Sequence, residues 1–265
     1  MRFSSHTQGS PCWVDLATTN QAAAKAFYAD LFGWVCQDNP MDETGNVFYT
    51  MAMVDGAFVG GMYEQPEDQR QAGIPPHWMI HLAVDDVDAI AARVPELGGT
   101  VGAPPFDVFE AGRMSIISDP AGAHVAFWQA KDHIGAGVKS EPSTIHWCEL
   151  LAGDPAAATA FYTELLGMES ETMAMQEEGE YTILMSAGVG VSGVMAMPEH
   201  LRERGVPAHW SVYFQIEDLD AAVAQVTAAG GRVALPPKDI ATVGRIAYLL
   251  DPQGAGFGLT QPESA

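Results

Sequence analysis

The sequence predicts an α+β protein of four βαβββ modules, paired into two domains that each carry a cup-shaped mixed sheet. Three observations predict it. Residues 77–129 return at 209–261 with a constant offset of 132 and no gap, and 20 of the 53 positions are identical. Residues 13–35 return at 147–169 with an offset of 134, keeping Trp13/Trp147, the pairs Phe27-Tyr28 and Phe161-Tyr162, and Gly33/Gly167. Within each half the order strand, helix, strand, strand, strand can be read twice. Self-similarity of this length marks a duplicated domain.

The elements follow in order. Residues 11–17 read as a strand. Thr19 and Asn20 offer an N-cap for a helix of good formers over 21–32, which Gly33 ends. Strand-like runs at 34–37, 47–54 and 57–63 complete the first module, and a loop rich in Pro, Glu, Asp and Gln covers 64–76. The second module has a strand at 78–84, a helix at 87–97, and strands at 100–101, 113–118 and 123–129. Gly98-Gly99 closes its helix, Pro104-Pro105 opens a strand, and Asp119-Pro120 starts a tight turn, each with a counterpart 132 residues on. The expected domains are 8–131 (modules 11–64 and 76–130) and 144–262 (modules 144–197 and 208–261). Residues 132–143, without apolar periodicity, form the linker between them.

Composition limits the function. With 48% hydrophobic and 17% charged residues, both domains can bury a core. The 34 acidic against 12 basic residues give a formal charge of −22, which repels phosphate backbones and anionic headgroups, so neither nucleic acid nor membrane is an expected partner. No apolar stretch of spanning length or secretory leader is legible, which makes the cytoplasm the expected location. Cys12, Cys36 and Cys148 are odd in number and in no CxxC spacing, so they read as reduced thiols.

The fourfold module, with FYADLFGW and FYTELLGM ending the first helix of each half and DPAGAHVAFWQ and DPQGAGFGLTQ at the last turns, resembles the vicinal-oxygen-chelate superfamily. That superfamily includes glyoxalase I, bleomycin-type resistance proteins and extradiol dioxygenases. The tandem form, with WVDL near the start and the linker AKDHIGA, resembles its actinobacterial glyoxalase-like antigen and hydroxylase group. Metal-binding members place a His, Gln or Glu on the first and last strand of each module. Those positions are expected here at Trp13, Gly60, Met79 and Ala126, and at Trp147, Ser192, Ser211 and Gly258. The resemblance therefore implies the fold but no metal ligands, and no cofactor is expected; a register two residues further along would instead bring Asp15 and His81 to the ligand positions of the two first strands.

Alternation along strands places the candidate lining of the cups. Trp13, Asp15, Met62, His77, Met79, His81, His124 and Trp128 should line the first cup, and Trp147, Glu149, His209, Ser211 and Tyr213 the second. An aromatic, thioether-rich lining suits a flat apolar or aromatic small molecule. Asp15 and His81 are the candidate catalytic pair: a carboxylate that orients an imidazole suits acid–base work on a hydroxyl or carbonyl. Arg113 and Arg245 are expected to pair with acidic side chains, and His133 is given no role. The leading expectation is a metal-independent protein, monomer or homodimer, that binds or modifies an aromatic or polyketide-like compound. A metal-dependent lyase or dioxygenase, and an interaction protein with vestigial cups, are the alternatives.

Overall fold

The structure is a computed structural model, which describes residues 1–41, 47–175 and 179–263. The first half runs β1 (Pro11–Thr18), α1 (Gln21–Phe32), β2 (Val35–Pro40), β3 (Phe48–Val54), β4 (Ala57–Glu64), α2 (Glu67–Gln71), β5 (His77–Ala83), α3 (Val87–Arg93), β6 (Thr100–Val108), β7 (Gly112–Ser118) and β8 (His124–Ala130). The second repeats it as β9 (Ile145–Ala152), α4 (Pro155–Leu166), β10 (Glu169–Met175), β11 (Gly179–Ser186), β12 (Val189–Ala196), α5 (Glu199–Arg202), β13 (His209–Gln215), α6 (Leu219–Ala228), β14 (Arg232–Ile240), β15 (Gly244–Leu250) and β16 (Gly256–Pro262).

Each half forms one eight-stranded mixed sheet, in the orders β2-β3-β4-β1-β5-β8-β7-β6 and β10-β11-β12-β9-β13-β16-β15-β14. The two modules of a half join where their first strands pair antiparallel, β1 with β5 and β9 with β13, while each first strand runs parallel to its own last strand. Four side chains cap the principal helices: Asn20, Asp86, Asp154 and Asp218 each accept a hydrogen bond from the backbone N–H three residues on. Gly33 and Gly167 take the left-handed conformation that stops α1 and α4.

Three expectations need correction. Residues 87–97 are not one helix: α3 ends at Arg93 and a 3-10 turn follows at Pro95–Leu97, because proline has no N–H to continue the ladder. Pro104-Pro105 does not open a strand but lies inside β6, an edge strand whose pairing with β7 shifts register twice around the pair. An edge with irregular pairing is where a missing donor is tolerated. The loop at 64–76 contains the short helix α2.

The helix-bearing faces of the two sheets meet in one core, with Phe32 and Trp78 both against Phe214, at ring centroids of 5.1 and 5.3 Å. Reciprocal hydrogen bonds lock the halves. Tyr28 on α1 donates to Asp251 in the β15–β16 turn (3.1 Å), and Tyr162 on α4 donates to Asp119 in the β7–β8 turn (3.3 Å). Behind them, the Trp78 and Trp210 indoles donate to the Tyr28 and Tyr162 hydroxyls. The free faces, which form the cups, therefore point away from this interface. Among the described residues no helix is long and apolar enough to cross a membrane.

Candidate functional site

The antiparallel pairing of β1 with β5 sets Trp13 opposite His81 and Asp15 opposite Met79 on the free face of the first sheet. A chain of hydrogen bonds crosses the floor of this cup. The Trp13 indole donates to the Tyr49 hydroxyl at 2.7 Å, and that hydroxyl donates to Asp15 Oδ2 at 3.2 Å. His81 Nε2 meets the same Oδ2 at 3.2 Å. Asp15 and His81 are only 8% and 3% exposed, so the pair lies out of bulk water. Burial, then the Asp15 carboxylate, holds the Tyr49 hydroxyl well above the usual range, which keeps it a donor. With a carboxylate at Nε2, a neutral His81 ring carries its proton there, leaving Nδ1 as the bare nitrogen. That Nδ1 is buried and has no protein partner.

Around this floor runs a half-buried apolar rim: Met51, Tyr63, Met79, Met114 and Ile116, with Phe106 43% exposed. Trp128 lies in the same cup, 6.4 Å from His81 between ring centroids. His77 and His124 share the face but sit at its margin. His77 is bonded to the carbonyl of Pro75, and the exposed His124 to Ser118.

Met62 is misplaced in the sequence reading. Asp15 pairs with Gly61, and Leu16 with Met62, so Gly61 faces the cup while Met62 is fully buried on the helix side. Gly60 and Ser192 are likewise on the helix side. The cup positions on the last strands are Gly61 and Gly193, where an added Cβ would collide with the hydroxyls of Tyr49 and Tyr181.

The second cup repeats the arrangement with different chemistry. Trp147 donates to the Tyr181 hydroxyl at 2.7 Å, and Tyr181 and Tyr213 both hydrogen-bond to Glu149, Tyr213 at 3.3 Å. Tyr213 holds the place that His81 holds in the first. Ser211 bonds Tyr248 at 3.1 Å, while the half-exposed His209 bonds the carbonyl of Pro207. Burial raises the Glu149 carboxyl above the usual carboxylate range, against the opposing hydrogen bonds from the two tyrosines.

Two features of the first cup escaped the sequence reading. Tyr49 had a legible signal: Tyr-Thr at 49–50 recurs at 181–182, at the same offset of 132 as residues 77–129. His133 had none, yet its ring stands edge-on to Trp13 at 4.7 Å and near Phe58 and Trp128 at 5.7 and 6.0 Å. Arg113 and Arg245, as expected, are bound structurally, to Asp88 and Asp220. Among the described residues no three His, Cys, Asp or Glu side chains come together as metal ligands do.

Residues 10–127 and 144–259 both match the Glyoxalase/Bleomycin resistance protein/Dioxygenase superfamily, and the chain belongs to it. It is similar to "Putative glyoxylase CFP32" of Mycobacterium tuberculosis, with 46% identity over 259 residues covering 98% of this chain and 97% of that protein. It is also similar to the anthracycline biosynthesis protein DnrV of Streptomyces peucetius, with 34% identity covering 96% of this chain and 93% of that one. Among solved structures, the Mn(II)-bound glyoxalase from Novosphingobium aromaticivorans shares the fold at a TM-score of 0.65 and 19% identity, covering 96% of this chain and 82% of that one. The 2,3-dioxygenase LapB from Pseudomonas sp. KL28 does so at 0.65 and 16%, covering 97% and 93%.

Proposed function

We propose that the protein binds a small, flat aromatic or polyketide-like molecule in its first cup, without a resident metal, and that Asp15 and His81 act there as an acid–base pair. The observation that carries this is the buried chain Trp13–Tyr49–Asp15–His81, ending on an imidazole nitrogen with no protein partner. A bare Nδ1 held by a carboxylate on the far side of the ring is suited to take the proton of a bound hydroxyl and return it. The rim of methionines and aromatic rings fits a planar apolar body. The similarity to a protein named for anthracycline biosynthesis supports a ligand of that shape.

The donor set does not fit the divalent cation that the superfamily's metal-binding members hold. Asp15 and His81 bond to each other, and the positions that would supply further ligands are Gly61 and Ala126 in the first cup, Gly193 and Gly258 in the second. The reading sets the protein in the cytoplasm, supported by three cysteines that are all free.

Titration with 1-hydroxyanthraquinone, followed by quenching of tryptophan fluorescence, tests the reading. His81→Gln is expected to weaken binding about tenfold, near 1.4 kcal/mol, and Tyr213→Phe in the second cup to leave it unchanged. Equal affinity in His81→Gln, or a loss that follows Tyr213→Phe instead, would overturn it.

A further inference from the structure

The chain between the two halves is not a free spacer. His133 N donates to the carbonyl of Ala111 (3.0 Å), Ala136 N to that of Cys12 (2.7 Å) and Gly137 N to that of Phe58 (2.8 Å), so the segment is pinned to the starts of β1 and β4 and to the turn that leads into β7. The Trp128 indole donates to the His133 carbonyl at 2.8 Å. Gly135, at φ +100°, lies so close to the Cys12 carbonyl that a Cβ would have no room. These bonds hold the His133 ring over Trp13 and beside Trp128, the same indole that stands next to His81.

His133 Nε2 is buried and has no partner, and so is His81 Nδ1. Two unpartnered imidazole nitrogens in one aromatic pocket are unusual, because a buried polar atom left unbonded costs about 1–3 kcal/mol. We infer that His133 is a ligand-binding residue of the first cup, and that its Nε2 and the Nδ1 of His81 bind one hydroxyl group on a planar aromatic ligand from two sides. This deepens the function proposed above and rests on it.

The chemistry selects a hydroxyl. His81 Nδ1 is the bare nitrogen of a ring whose proton faces Asp15, so it accepts the ligand O–H; a His133 tautomer protonated at Nε2 donates to the same oxygen. An ether or a methyl group in that place satisfies at most one of them. Burial lowers His133 to about 4, so its ring is neutral at pH 7 and supplies a dipole rather than a charge. With the Asp15 carboxylate beneath and a chain of charge −22 around it, the cup favours an uncharged phenol over a carboxylate or a phosphate.

The test compares 1-naphthol with 1-methylnaphthalene, which has the same shape without the hydroxyl, by equilibrium dialysis against the full-length protein. Wild type should bind 1-naphthol about tenfold more tightly. His133→Phe, which keeps an aromatic ring on Trp13 but removes Nε2, should bring the two probes to within about twofold while 1-methylnaphthalene binds as before. A 15N spectrum of the wild-type histidine rings supplies a readout independent of any variant's folding: 1-naphthol should shift the nitrogens of His81 and His133, and 1-methylnaphthalene should not. A naphthol preference that survives His133→Phe, or a spectrum in which His133 stays still while His81 moves, overturns this inference and leaves the cup as a binding site. Binding of neither probe by wild type overturns the inference together with the reading on which it rests.

Discussion

Replacing Asp251 by Ala should destabilise the protein by about 3–5 kcal/mol, the cost of leaving several buried donors facing an empty acceptor. Asp251 is 2% exposed. Its Oδ1 accepts from the backbone N–H groups of Gln253, Gly254 and Ala255 at 2.8–2.9 Å, and its Oδ2 accepts from Tyr28 in the other half. Removing the carboxylate undoes a turn and a domain contact at once. For a chain of this size the loss should lower the melting temperature by about 10 °C, with a similar drop for Asp119→Ala. Tyr28→Phe should cost about 1 kcal/mol and should be less than additive with Asp251→Ala, since both break the same bond. A melting temperature within 2 °C of wild type in Asp251→Ala, read by calorimetry, would contradict this account of the interface.

Acid should unfold the protein early, and the histidines set the range. Burial lowers His133 and His6 from 6.5 to about 4 in the folded chain. Between those values the unfolded chain binds protons that the folded chain refuses, so stability falls as pH drops from about 6.5 toward 4 and is flat above it. A fully withheld proton is worth about 1.4 kcal/mol per pH unit. Both rings keep part of their surface in water, which reduces the expected total for the pair to about 3 kcal/mol. Asp119, Asp251 and Glu149, raised by burial, act in the opposite sense: the folded chain takes up their protons first, which offsets part of the loss near the bottom of the window. Denaturant unfolding from pH 4.5 to 7.5 should therefore give a slope that His133→Phe visibly flattens. Parallel curves for the variant and wild type would show that the ring is not withheld from solvent.

The fold could be read because its repeating residues are ones that fix backbone. Gly33, Gly98 and the Asp-Pro turns punctuate the chain, and they occur twice. The faces of β1 and β5 were equally legible: plain alternation put Asp15 and His81 in the same cup, and the structure brings them within 3.2 Å. On β4 the same rule failed by one residue, since strand alternation gives two faces but not which of them looks inward, and a one-residue slip exchanges Gly61 for Met62. The β3–β4 pairing also carries a bulge, between Ala52 and Met53, which no local pattern announces. His133 could not be found at all by periodicity. It lies 120 residues from Trp13 in a stretch without regular structure, and only tertiary packing brings the two rings together.

The reciprocal bonds of Tyr28 with Asp251 and Tyr162 with Asp119 have the form of an isologous contact, in which the same patch on two copies meets itself around a two-fold axis. Here both copies lie on one polypeptide. In a homodimer any substitution is imposed on both subunits together, so two cups must change in concert. Fusion removes that constraint. His81 on one side and Tyr213 on the other, above Asp15 and Glu149, are the outcome of symmetry kept at the interface and broken in the cups.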